Sequence, residues 1–173
     1  MTKEHLSDDD ILNLLSMPKR VVNPRARPKT LERHVQTDYN IESCVSDDEF
    51  ALFVRQSTKR EESFSVGLRL LSGDSVTLIR CNGASHPHRN HLEGERFEPQ
   101  CHIHTATARY PADGRKDEGF AEPTSAYQEV QGALKHIIER CNISGFTTPC
   151  RKAKPRHSDN QVNLFESDEL RDN

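Results

Sequence analysis

The sequence predicts an α+β domain: a small antiparallel sheet of about four to six strands, packed against one long C-terminal helix, with a short N-terminal helix and flexible ends. Three observations predict it. Two apolar runs, SFSVGLRLL (63–71) and SVTLIRCN (75–82), flank Gly73-Asp74, a pair that suits a tight hairpin with the glycine at positive φ. Residues 123–141 carry Tyr127, Val130, Leu134, Ile137, Ile138 and Cys141 as one helical stripe. Leu, Ile, Val and Phe make up about a fifth of the chain, near the lower limit for folding, and they concentrate between Phe50 and Phe146. A length of 173 residues suits one domain with tails.

In order, residues 1–17 hold the short helix: Ser7 caps it, Asp8 to Asp10 favour its positive end, and Ile11, Leu12, Leu14 and Leu15 give it an apolar side before Pro18 stops it. Residues 18–33, PKRVVNPRARPKTLER, set Lys19, Arg20, Arg25, Arg27, Lys29 and Arg33 against Glu32 alone and read as a basic, extended arm, either a solvated connector or a phosphate contact. The domain proper spans 34–146. Alternation predicts strands over 34–45 and 49–57, and pairing across Gly73-Asp74 sets Phe64, Val66, Leu68 and Leu70 beside Thr77, Ile79 and Cys81 on one face. Arg69 and Arg80 share the other face with Leu71, Val76 and Leu78. Pro123 suits the start of the long helix, Ser125 and Gln128 its capping box, and Gly145, with Asn142 nearby, its end. Residues 147–173, basic in CRKAKPRH and acidic in FESDELRDN, read as a disordered tail in which Leu164 and Phe165 could dock.

A formal net charge of -3 argues against a strongly basic nucleic-acid binder, so any such role falls to local patches. Cys44, Cys81, Cys101, Cys141 and Cys150 are odd in number and lack CxxC spacing. With no signal peptide and no apolar run long enough to cross a bilayer, they point to free thiols in a cytoplasmic protein without a membrane partner. Alternation turns Cys81 and Cys101 toward the helix as small core residues.

The stretch 80–110, RCNGASHPHRNHLEGERFEPQCHIHTATARY, gathers five of the chain's nine histidines: His86, His88, His91, His102 and His104. Read as a strand, CHIHTAT puts His102 and His104 on one face, and if Ile103 joins the core both rings point to the open side. Pairing with the preceding strand brings Arg80 to that side, with Arg89, Arg109 and Tyr110 near by.

Two chemistries suit such a patch. In one, two or three neutral imidazoles among His86, His88, His91, His102 and His104, with Glu93 or Glu95, hold a divalent metal such as zinc that activates a water. In the other there is no metal: His86, His88, His102 and His104 supply the general base and acid, while Arg80, Arg89 and Arg109 bind phosphate. Both favour phosphodiester chemistry over acyl transfer, since no Ser or Cys lies in a nucleophile motif. Against both stands a structural cluster of surface and cross-strand histidines.

PKRVVNP, SHPHRNHLEGERF, CHIHTATARY and CNISGF together resemble a prokaryotic and phage family of unknown function, from about Pro18 to Phe146. That resemblance implies no particular activity. A looser one is to TumE-like toxins of toxin–antitoxin modules, with Asn82, His86 and His88 matching their first histidine-rich element and His102 and His104 their second. The longer N-terminal arm, the tail and the Cys-His-Ile-His wording depart from that pattern. The likeness implies a toxin-like ribonuclease from a mobile element or phage, with RNA as substrate and an antitoxin or host protein as partner. The alternative is a non-catalytic phage or plasmid regulator whose histidines stiffen a loop.

Overall fold

The apolar runs pair into a sheet of nine strands in the computed structural model, which describes residues 5–146. The expected tail, with Cys150, Leu164 and Phe165, lies outside the described residues. Helix α1 (Asp8–Ser16) is followed by strands β1 (Lys19–Val21), β2 (Lys29–Thr30), β3 (His34–Ser43), β4 (Glu49–Ser57), β5 (Phe64–Leu70) and β6 (Val76–Asn82). A separate hairpin, β7 (His88–Asn90) with β8 (Glu95–Phe97), precedes β9 (His102–Thr105), helix α2 (Arg109–Ala112), β10 (Phe120–Pro123), helix α3 (Val130–Arg140) and β11 (Ile143–Ser144). The strand order is β10-β9-β6-β5-β4-β3-β1-β11, with β2 beside β3. All pairs are antiparallel except β1 with β11.

The α+β class and the four central strands follow the hydrophobic alternation, but the sheet is wider than the four to six strands expected. The additional strands β1, β2, β10 and β11 have two to four residues each, too few for a period of two to register. The C-terminal helix is correspondingly shorter than 123–141. Pro123 ends an edge strand opposite His102, where a missing N–H costs no ladder bond. Tyr127 is held in the following turn, its hydroxyl 2.8 Å from the His102 carbonyl and 3.1 Å from that of Asn82. The helix therefore begins at Val130 after Glu129, and the Ser125–Gln128 capping box does not form. Asn142, at φ 51°, makes the left-handed turn that ends it. The cap of α1 does form: Ser7 Oγ accepts from Asp10 N at 3.1 Å and the Asp10 carboxylate accepts from Ser7 N at 3.1 Å.

The predicted hairpin turns at Gly73, φ 64°, with one correction. The β5–β6 register shifts between Leu68 and Arg69, pairing Leu70 with Val76 and Arg69 with Thr77. This bulge swaps faces: Val76 enters the core and Thr77 joins Arg69. One face of the sheet, with Val66, Leu68, Ile79 and Cys81, packs under Val130, Ala133 and Ile137 of α3 and joins Ile11, Leu14 and Leu15 of α1 in a single core. Cys81, Cys101 and Cys141 are buried in it, Cys44 is exposed, and all four are free thiols.

Lys19 does not serve as a basic arm residue. It is 1% exposed, and its ammonium donates to the carbonyls of Leu15 (3.0 Å), Met17 (2.9 Å) and Cys141 (3.1 Å). Those carbonyls lie at or just beyond the C-terminal ends of α1 and α3, where a cation is favoured. Burial pulls its pKa down to about 8, so at neutral pH the ammonium keeps the three protons the carbonyls take. No helix among the described residues is long and apolar enough to cross a membrane.

Candidate functional site

The sheet face opposite the helices carries the polar and charged side chains, aligned in rows by the register. One row runs Asp38, Phe53, Gly67, Arg80, His104, Ala121 from β3 to β10, and the next runs Gln36, Arg55, Ser65, Asn82, His102, Pro123. Alternation along CHIHTAT thus brings His102 and His104 to one face beside Arg80, as the sequence predicts.

The β7–β8 hairpin folds over that end of the sheet and adds His88. Its ring stacks on His102 with centroids 5.5 Å apart and meets His104 edge-on at 4.7 Å, while His102 and His104 are 5.0 Å apart. One nitrogen from each ring lies within 4.8 Å of the others. The histidine-bearing segments converge, but not on an open face: His102 and His104 are each 4% exposed, with His88 and Phe97 of the hairpin and the Glu118 carbonyl packed against them.

Each ring is oriented by an outer partner. Nδ1 of His102 donates to the Gln100 carbonyl at 2.8 Å, and Nδ1 of His104 to the Glu118 carbonyl at 2.9 Å. Nε2 of His88 donates to Oδ1 of Asn90 at 3.0 Å. The two carbonyls make His102 and His104 Nδ1–H tautomers with Nε2 free to accept, while His88 has the Gly119 carbonyl as a second acceptor beside Asn90. Burial is the main reason the rings stay uncharged. It pushes His104 down to about 3, with Arg80 adding to the shift, and lowers His102 and His88 as well. A histidine held neutral this firmly makes a poor general acid at pH 7 and a good metal ligand.

Asn90 is the residue that sequence reasoning missed. It is buried and clips the hairpin to the edge of β10 by two bonds, Nδ2 to the Ala121 carbonyl at 2.8 Å and Ala121 N to Oδ1 at 2.9 Å. The signal for it was Glu93-Gly94, with Gly94 at φ 72°. A turn there puts His88 and Asn90 on the same side of a short strand. Glu93 is the second clip, accepting from the Tyr110 hydroxyl at 2.7 Å and pairing with Arg109. Burial works to raise the pKa of Glu93, and the Tyr110 and Arg109 contacts outweigh it. Arg109 also lies over the Phe120 ring, so its guanidinium is engaged away from the three rings.

Arg80 is half-buried beside His104. Its NH1 is 3.8 Å from Glu118, and its Nε has no hydrogen-bond partner among the described residues. Arg89 is exposed opposite Arg96 on the outer side of the hairpin. His91 is exposed too, and His86 lies at the surface with Nδ1 2.5 Å from Ser85 Oγ, both outside the group of three.

Beside this centre, which does not itself line it, a trough of about 740 Å³ runs across β6, β5, β4 and β3, lined by Arg33, Arg55, Arg69 and Arg80 with His34 and His86, against one acid, Asp38. Phe53 lies on its floor. The ring rests over Gly67, where a Cβ would stand 2.4 Å from the ring tip, and Arg69 sits over it at 5.7 Å. Asn82 joins trough to centre: its amide accepts from Ser65 at 2.8 Å and reaches His102 Nε2 at 3.3 Å.

The model of a family of unknown function, DUF6978, matches residues 6–143. The chain belongs to that family. No curated protein and no solved structure matches this chain, and neither comparison supports the likeness to TumE-like toxins.

Proposed function

We propose that this protein acts on single-stranded RNA, which it holds by its phosphates along the arginine-lined trough and hydrolyses at the trihistidine centre where the trough ends. The observation that carries this is the charge of one concave face in a chain of net charge -3: four arginines against Asp38. Guanidinium groups bind phosphate oxygens in bidentate fashion, and Phe53 between Arg55 and Arg69 offers a ring on which a base can stack. Arg80 and Asn82 line the trough next to the centre, Asn82 touching His102 at 3.3 Å, which supports reaction at that end once the hairpin opens. Hydrolysis would add water to phosphorus and break a P–O bond, the leaving oxygen taking up the proton. The depressed pKa values favour a metal-activated water over proton transfer by the buried rings.

A second reading has its own support. Because the hairpin covers His102 and His104, the centre also suits a structural role in a non-catalytic RNA-binding regulator, toxin-like in neither activity nor partner. End-labelled single-stranded RNA, with DNA of the same sequence as a control, separates the two. The wild-type protein is expected to bind and cut the RNA, Arg55→Ala with Arg69→Ala to lose both activities, and a folded His102→Ala/His104→Ala protein to bind without cutting. Binding without cutting by the wild type supports the regulator. No binding by the wild type refutes both.

A further inference from the structure

We infer that His88, His102 and His104 hold one divalent transition-metal ion, zinc or an ion of like preference, and that Arg80 selects an anionic oxygen as its fourth ligand. The inference concerns the centre itself and holds whether or not the trough binds RNA.

Three histidines with an open fourth position form a recurring catalytic zinc ligand set. A tetrahedral ion with Zn–N bonds of about 2.1 Å spaces its ligand nitrogens about 3.4 Å apart, and the three nitrogens here lie within 4.8 Å before any ion draws them in. Simple packing does not require the tautomers to agree. His102 and His104 both spend Nδ1–H on a backbone carbonyl, the outer-shell pattern that orients imidazole ligands, and His88 Nε2 is held by the Asn90 side chain. None of the three rings donates to another. The one weak contact to a remaining lone pair, from Asn82 to His102 Nε2 at 3.3 Å, is one that an ion would replace.

Arg80 decides the fourth ligand. Placed opposite His104 in the β6–β9 register, a guanidinium opposes a bare cation. Its Nε is buried and lacks a partner among the described residues, and Glu118 at 3.8 Å offsets its charge only in part. An ion that carries a hydroxide or a phosphate oxygen on its open side removes both faults, since the anion screens the repulsion and accepts from Nε. The site thus selects a metal–anion pair. The ligands also come from two pieces, two on β9 and one on the hairpin, so the ion joins Asn90 and Glu93 in holding the hairpin down.

The untagged full-length protein, grown with zinc and analysed for metals, is expected to carry one ion per chain. After chelation it should take up cobalt(II) with a visible tetrahedral spectrum, and adding inorganic phosphate should change that spectrum. His88→Ala, half-buried on a short hairpin and so the ligand whose loss least threatens the fold, should bind cobalt at least about tenfold more weakly. His91→Ala should bind as the wild type does. In Arg80→Ala the cobalt spectrum should no longer respond to phosphate. The metal centre is refuted if the wild type binds no ion, if His88→Ala binds equally well, or if His91→Ala loses the ion. An equal phosphate response in Arg80→Ala overturns the role of the arginine. RNA retention by the chelated protein, read separately, reports on the trough alone.

Discussion

Replacing Arg69 by alanine probes the trough in quantitative terms. Four arginines and Asp38 leave it three net positive charges, and if each neutralises one phosphate, the logarithm of affinity for a single strand falls with the logarithm of salt at a slope of about −2. Between about 50 and 200 mM salt the wild type should therefore lose affinity about twentyfold, and Arg69→Ala, with a slope nearer −1.4, about sevenfold. At fixed low salt the lost charge-assisted contact costs about 1.5 kcal/mol, roughly tenfold in affinity. Arg69 is exposed, its Nε makes a long 3.4 Å contact with Thr77 and its guanidinium lies over Phe53 at 5.7 Å, so the melting temperature should fall by only a few degrees. Fluorescence anisotropy of a labelled oligouridine across a salt series measures both quantities. Gly67→Ala, which pushes the Phe53 ring off the floor, should lower affinity while leaving the slope unchanged. A slope in Arg69→Ala equal to that of the wild type, or a wild-type slope near zero, would show that the trough does not hold phosphates.

Three further outcomes test the architecture. Lys19→Met leaves three carbonyls without their donor and should cost about 3 kcal/mol in urea unfolding; a loss below about 0.5 kcal/mol would mean that water replaces the ammonium there. Asn90→Ala removes both bonds to Ala121 and should raise hydrogen exchange in residues 88–97 selectively, with the central strands unchanged. Chelated protein should lose stability as the pH falls below about 6.5. With His104 at about 3 when folded, the unfolded chain takes the proton first, and each pH unit between the two values costs about 1.4 kcal/mol. His104→Leu should make that dependence less steep, leaving the part due to His88 and His102, and identical pH profiles for the two proteins would contradict it.

Local order in this chain follows from its residue pattern. Alternation over His34–Ser43 and Glu49–Ser57 and on both sides of Gly73 specified the four central strands, and Ser7 with Asp10 specified the capped helix, because each is set by neighbours within a few residues. The same alternation put His102 and His104 on one face next to Arg80. What tertiary structure decided is everything that depends on contacts between distant segments. Strands of two to four residues exist only because a longer neighbour offers them a ladder, so the width of the sheet was not legible in them. Lys19 read as one more basic residue until two helix ends closed over its ammonium. His88, rather than His86 or His91, joined the other two rings because Asn90 and Glu93 clip the hairpin at Ala121, Tyr110 and Arg109. That same closure buried the rings, and burial changed them from proton carriers into neutral donors.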